Sequence, residues 1–303
     1  MGLNKEAVKI GFAYVGIVVG AGFSTGQEVM QFFTPYGLWS YIGVLISGLI
    51  LGFIGRQVAK IGTAFEATNH ESTLKYLFGE KFSKIFDYIL VFFLFGIAVT
   101  MIAGSGSTFQ ESFGIPTWLG ALIMTIVIYL TLLLDFNKIV SALGIVTPFL
   151  IIMVILIAVY YLFAGSVPLN EVNSTVDKTS VFWGIVRGLM PKFKDVEIPT
   201  LTLANAIHPW IGLVLTVIML TVMYNTILGL CYSFAARFTE PYSKKYHIFI
   251  IIMMIAAFIL SFVGFADLIN FLYNIMGVVG LFIVVAVLIK YYVRKSDNKD
   301  HIA

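Results

Sequence analysis

A long apolar run near the N-terminus is interrupted at mid-length by Gly20-Ala21-Gly22-Phe23-Ser24-Thr25-Gly26 and closes on Gln27-Glu28. Glycines and hydroxyls are poor material for a continuous helix. In hydrocarbon there is no water to satisfy the N–H and C=O groups that a break would free. Each such group costs several kcal/mol in lipid, so irregular backbone at membrane depth persists only where it faces protein or a wet cavity. The run is therefore expected to be a split membrane helix whose main chain lines a site, the arrangement by which many secondary transporters hold ions and small solutes.

The rest of the chain supports a membrane setting for that run. Apolar stretches of the ~20 residues needed to cross ~30 Å of hydrocarbon recur throughout, near residues 6–33, 38–59, 84–108, 117–134, 139–164, 208–236, 246–266 and 268–292. Hydrophobic residues make up 59% and charged residues 12% of the sequence, a balance that excludes an ordinary soluble domain. The expected fold class is an all-α, polytopic membrane helical bundle with about eight full spans, a single integral domain embedded in the lipid bilayer. Lys5 and Lys9 precede the first run as in a signal peptide, but no small-x-small cleavage site follows, so removal of a leader is not expected. Cys231 is the sole cysteine and has no internal disulfide partner. The net charge of +3 is spread over short loops, which gives no reason to expect nucleic acid as a partner.

Charge fixes an orientation. With the N-terminus inside, fifteen Lys and Arg fall on inner segments and only Lys178, Arg187, Lys192 and Lys194 on outer ones. The positive-inside rule then places both termini in the cytoplasm of a cell-membrane protein. Five crossings leave residue 165 outside, and the span at 208–236 must also begin outside, so residues 165–207 make either no crossing or two. Their apolar piece, 181–190, is too short to span and contains Arg187, which points to a surface or re-entrant segment. Pro191-Lys192-Phe193-Lys194-Asp195 and Ile198-Pro199-Thr200 read as loops, because proline lacks an amide donor and ends helices. Tyr160-Tyr161 and Tyr291-Tyr292 are interfacial anchors.

The glycine pattern Val19-Gly20-Ala21-Gly22-Phe23, followed by Pro35-Tyr36-Gly37 and a glycine-rich second span, resembles the amino acid–polyamine–organocation superfamily with the LeuT fold. More closely, Gly20-Ala21-Gly22-Phe23-Ser24-Thr25-Gly26-Gln27-Glu28 with Phe32-Phe33, Glu197-Ile198-Pro199-Thr200-Leu201 and His208-Pro209 resemble the YkvI-like bacterial membrane proteins. The resemblance implies a five-plus-five inverted repeat of ten spans. In this chain the first repeat is complete at 1–164. An outer loop with a short apolar remnant occupies 165–207, an incomplete second repeat 208–293 and a tail 294–303. Most of the sixth and seventh spans, some 40–50 residues by the length rule, are missing, with the join near Val186.

In the split segment, where Gly20 is a candidate for the solute site, N–H groups around Gly22, Phe23, Ser24 and Thr25 would offer a positive helix end to an anionic group such as a carboxylate. Carbonyls near Gly16 and Val19 would face a cation. Close helix packing is the alternative, since Gly16/Gly20 and Gly22/Gly26 are both small-xxx-small pairs; Ser24, Thr25 and Gln27 favour a site, because packing does not need them. Glu28 falls about 10 Å past Ala21 if helical, inside the hydrocarbon, where an acid is a functional candidate by default unless it snorkels to the outer surface. Thr100, Gly104 and Ser105 of the third span are candidates for the same cavity. By resemblance, Asn225 and Thr226 match eighth-span positions that offer oxygens to Na⁺, a hard cation; an interhelical hydrogen bond is the alternative. Asn270 and Asn274 fit helix–helix glue, His208 a helix start, and Asp267 a turn between spans.

Gly22-Phe23-Ser24-Thr25-Gly26 matches the G-x-S-x-G nucleophile elbow, but that motif needs a strand-to-helix turn with a base and an acid close by. His208 falls at a span end and His70, His247 and His301 in loops or the tail, so an enzyme is not expected. No cofactor is implied beyond a coupling Na⁺ or H⁺. The functional expectation is an alternating-access carrier for a small polar solute such as an amino acid. The rival is a non-transporting scaffold, sensor or shortened carrier.

Overall fold

The computed structural model describes residue 22 and residues 25–33, 39–65, 70–134, 146–164 and 197–300. These form nine α-helices and no strand among the described residues: α1 (Gln27–Phe32), α2 (Trp39–Ala64), α3 (His70–Phe113), α4 (Thr117–Leu132), α5 (Val146–Ala164), α6 (Pro199–Ile207), α7 (Pro209–Phe238), α8 (Lys244–Leu260) and α9 (Phe265–Asp300). Among the described residues five stretches are long and apolar enough to cross a membrane, namely Trp39–Ala64, Ser72–Phe113, Pro209–Phe238, Lys244–Val263 and Phe265–Tyr292; Thr117–Leu132 and Phe149–Tyr161 are shorter apolar helices. The all-α membrane bundle expected from the apolar runs is the architecture found. The expected remnant at 181–190 and the join near Val186 lie outside the described residues.

The chain divides into two units, residues 1–38 with 95–269 and residues 39–94 with 270–303, and the boundary falls within α3 and α9. The first unit is organised around α3. Residues 98–108 of that helix are buried without interruption, the pattern of a helix enclosed on all sides. Its glycines permit close approach. A Cβ on Gly106 would lie 2.5 Å from the Thr117 carbonyl oxygen, and one on Gly120 would lie 2.6 Å from Phe109 Cβ, so α3 and α4 cross nearly backbone to backbone. Small residues are the usual means of such crossings in lipid, where burial of apolar surface gives little drive. α7 buries Gly212, Leu215, Thr216, Met219, Met223 and further positions at helical spacing, and packs on α4, α5, α6 and α8.

In the second unit, α2, the first part of α3 and the stretch of α9 from Ile283 to Val287 meet in a small cluster centred on Ile61, Leu77 and Val287. α3 is broken once in this unit, at Gly79 (φ 75°, ψ 173°).

Four local expectations are corrected. His70 and His247, expected in loops, lie in α3 and α8. Pro199 does not sit in a loop: it is the first residue of α6, where a missing N–H is harmless and a fixed φ suits the helix. Asp267 lies in the first turn of α9 rather than in a turn between spans. Asn274 Nδ2 donates to Asn270 Oδ1 at 2.9 Å on one exposed helix face, so the pair braces its own helix instead of gluing two together. The His208 start is found as read, with its Nδ1 accepting from the Trp210 N–H at 3.2 Å.

Candidate functional site around the split in the first span

Gly22 and Thr25 are helical, and α1 begins at Gln27. Between them Gly26 adopts a left-handed conformation, φ 79° and ψ −7°, which breaks the helical path. Glycine takes this conformation without the penalty a Cβ would add. The Thr25 hydroxyl bridges the break: it donates to the Gly22 carbonyl at 2.6 Å and accepts from the Gln27 N–H at 3.2 Å. Thr25 is fully buried. Local bonding of this kind by Thr offers backbone groups an alternative to the helical ladder.

The break rests on the start of α6. A Cβ at Gly26 would meet Thr200 Cγ2 at 2.9 Å and Pro199 Cβ at 3.5 Å. The residues just before Pro199 are in turn held by α3. Ser107 donates to the Glu197 carboxylate, and Glu111 Oε1 accepts from the Ile198 N–H at 3.0 Å and bonds the Glu197 main chain as well. Glu197 Oε1 also lies 3.8 Å from where a Cβ would stand on Gly264, which has φ 101° at the turn ahead of α9. Phe265, which follows, covers Gly104 so closely that a Cβ there would be 2.7 Å from its ring.

Three parts of the chain thus converge on residues 197–200: the Thr25-Gly26 break, the Ser107–Glu111 turn of α3, and the Gly264-Phe265 corner between α8 and α9. Glu111 and Glu197 are both half-buried and close enough to repel one another. Two carboxylates placed out of bulk water require compensating donors or a counter-charge, and a proton or a small cation serves. No group of three or more His, Cys, Asp and Glu that could hold a metal is present among the described residues.

The remaining candidates are placed as follows. Gln27 and Glu28 are half-buried on α1. Thr100 is buried and donates to the Gly96 carbonyl at 3.0 Å, and Ser105 is buried and donates to the Ile102 carbonyl at 2.7 Å, so both hydroxyls are spent on their own helix. Asn225 and Thr226 are half-buried on α7, and the Thr226 hydroxyl donates to the Val222 carbonyl at 3.0 Å. Gly16, Val19, Gly20, Phe23 and Ser24 lie outside the described residues. Sequence reasoning does not single out Ser107 and Glu111. A signal exists, since an acid at the end of an apolar run is a candidate by default, but the third span as read from sequence stops at 108 and Glu111 falls just beyond it.

Comparison with known proteins agrees with a membrane protein and gives no activity. The chain is 26% identical to the uncharacterized membrane protein YkvI of Bacillus subtilis (strain 168), with 96% of this chain and 98% of the relative covered. It is also 26% identical to the uncharacterized protein YyaD of the same organism, covering 95% and 97%. The alignment with YkvI occupies 345 positions although the chain has 303 residues, so more than forty positions of that relative face a gap here. No family model and no solved structure matches.

Proposed function

We propose that this YkvI-like membrane protein is a secondary carrier for a small polar solute, an amino acid or a molecule of similar size and charge, driven by Na⁺ or H⁺. Support comes chiefly from the left-handed break at Gly26 within the first span, lodged against a segment that two α3 side chains hold. A break of this kind frees main-chain donors and acceptors for a solute, with Gly20, Gly22, Phe23 and Ser24 ahead of it in the sequence and Gln27 and Glu28 the two residues after it. The Glu111–Glu197 pair is the natural place for a coupling proton or cation, because neutralising it alters the grip on residues 197–200 that abut the break. Asn225 and Thr226 are the alternative cation ligands. Alternating access would then have the unit around α3 and α7 open the split segment to each side in turn. No enzymatic activity is proposed.

The test is uptake by purified protein in liposomes. Radiolabelled amino acids should accumulate under an imposed Na⁺ or H⁺ gradient and leak away when an ionophore collapses it. A monodisperse, folded preparation that accumulates nothing across such a panel refutes the assignment.

A second reading has an observation of its own. More than forty positions of YkvI have no counterpart here, and two membrane crossings take about 40 residues. A chain short of two crossings would be a membrane protein descended from a carrier and no longer transporting. Inserting the corresponding YkvI segment between Val186 and Arg187 separates the two: uptake gained only by the lengthened chain favours the second reading, and equal uptake by both chains the first.

A further inference from the structure

The cluster of Ile61, Leu77 and Val287, with Val58, Tyr76 and Ile283 against it, brings one end of α2, α3 and α9 together. Basic residues crowd that end. Arg56 and Lys60 flank Val58, and Lys290 stands one turn past Val287; Lys81 and Lys84 come after the Gly79 break, on the stretch whose Phe86 stacks on Phe78 of the cluster at 3.9 Å. The Lys290 ammonium lies 5.3 Å from the centre of the Tyr76 ring, a cation–π distance. Next to it Tyr291 meets Phe53 edge-on at 5.2 Å, as an interfacial anchor would. With Lys75, the sequence of these turns holds six cations against the acids Glu71, Glu80 and Asp87.

The positive-inside bias explains why Lys and Arg lie on one side of a membrane protein. It does not explain their convergence from three helices, nor what lies beside them. Arg56, Lys60, Lys81 and Lys84 are exposed, and large apolar residues adjoining the cations in sequence are exposed too: Phe82 after Lys81 at 63%, Ile85 after Lys84 at 54% and Ile289 before Lys290 at 56%. Cations bordered by bare apolar surface match a molecule with an anionic head and a hydrocarbon tail. A soluble phosphate would use only the first half of that surface.

The geometry points to a binding site for an anionic phospholipid at this end of the second unit, its phosphate among Arg56, Lys60, Lys81 and Lys84 and its acyl chains along Phe82, Ile85 and Ile289. Clusters of four to eight Lys and Arg at the inner leaflet attract anionic headgroups. The site does not depend on whether the chain transports.

Native mass spectrometry of the detergent-purified full chain, titrated with phosphatidylglycerol or with phosphatidylcholine of the same acyl chains, tests it. Wild type should retain phosphatidylglycerol preferentially. The variant R56Q/K60Q/K81Q/K84Q should lose that preference by about tenfold or more, given the attraction each surface cation exerts. K244Q/K245Q, which removes charge from the start of α8, should keep it. The pair variants R56Q/K60Q and K81Q/K84Q should each fall part of the way, which keeps the test sound if the quadruple variant misfolds. Equal retention of both lipids by wild type, an equal loss in K244Q/K245Q, or displacement of the lipid by soluble glycerol phosphate at matched concentration would each overturn the proposal.

Discussion

Substituting Gly26 by alanine probes the split directly. Two costs add. At φ 79° an L-residue sits in the left-handed region, which costs about 1–2 kcal/mol. The new methyl would also stand 2.9 Å from Thr200 Cγ2 and 3.4 Å from the Thr200 main-chain nitrogen. Thr200 is β-branched and stiff at χ1, so it cannot swing aside freely, and overpacking of this sort costs about 1–3 kcal/mol. Together these give an expected loss of about 2–5 kcal/mol. Gly114 supplies the control: its φ is 67° and nothing lies within 4 Å of where a methyl would stand, so Gly114→Ala should show the dihedral cost alone, about 1–2 kcal/mol. Adding Thr200→Ser removes the clashing methyl and keeps the hydroxyl, so Gly26→Ala/Thr200→Ser should recover the packing share and leave the dihedral share. The assay is the apparent melting temperature of each detergent-solubilised variant, followed by the fraction that stays monodisperse after heating. If Gly26→Ala melts with Gly114→Ala, or if Thr200→Ser restores nothing, the break is not lodged against α6 and the proposed site loses its support.

Other substitutions test the surrounding contacts. Glu111→Ala strands the Ile198 N–H and should lower stability by about 1.5–3 kcal/mol, the range for a hydrogen bond to a charged group; Glu111→Gln keeps an acceptor and should lose less in the same melting assay. Gly106→Ala sets a methyl 2.5 Å from the Thr117 carbonyl oxygen and should prevent α3 and α4 from closing, seen as aggregated protein on size exclusion. Gly52→Ala on α2 meets nothing within 4 Å and should be neutral or stabilising by up to ~1 kcal/mol through helix propensity; a loss as large as that of Gly106→Ala would mean the face is covered. Gly212→Ala would place a methyl 1.6 Å from Asn205 Oδ1, so it should destabilise in the wild-type background and recover when Asn205→Ala is added.

The bundle is legible in the sequence because span length and apolar content are local properties: α2, α3, α4, α5, α7, α8 and α9 all coincide with apolar runs. The glycines and hydroxyls of Gly20–Gly26 raise the expectation of a break, and the left-handed residue is the last of that run, Gly26, with Gly22 and Thr25 still helical; residues 20, 21, 23 and 24 lie outside the described residues. Pro199 misleads because one chemical fact, the missing N–H, suits both a loop and a first helical turn. Only the burial of Leu201 and Ala204 in a helix packed on α7 decides between them. Asp267 misleads because Gly264 turns the chain earlier than the charge alone suggests. The bond from Ile198 to Glu111 spans 87 residues in sequence, and no local pattern carries a pairing of that separation. The basic end of the second unit is visible in the sequence only as charge bias; the convergence of its three helices is a tertiary fact.

α6 is moored at its beginning and its middle by residues far from it in the sequence, and at its end by its own cap. Glu111 and Ser107 secure its beginning, Tyr161 gives its hydroxyl to the Leu203 carbonyl at 2.9 Å, and the His208 cap passes directly into α7. None of these ties uses residues 165–196. Shortening the chain ahead of Glu197 would therefore leave each of these ties in place, and with them the contacts that set this helix against the Gly26 break.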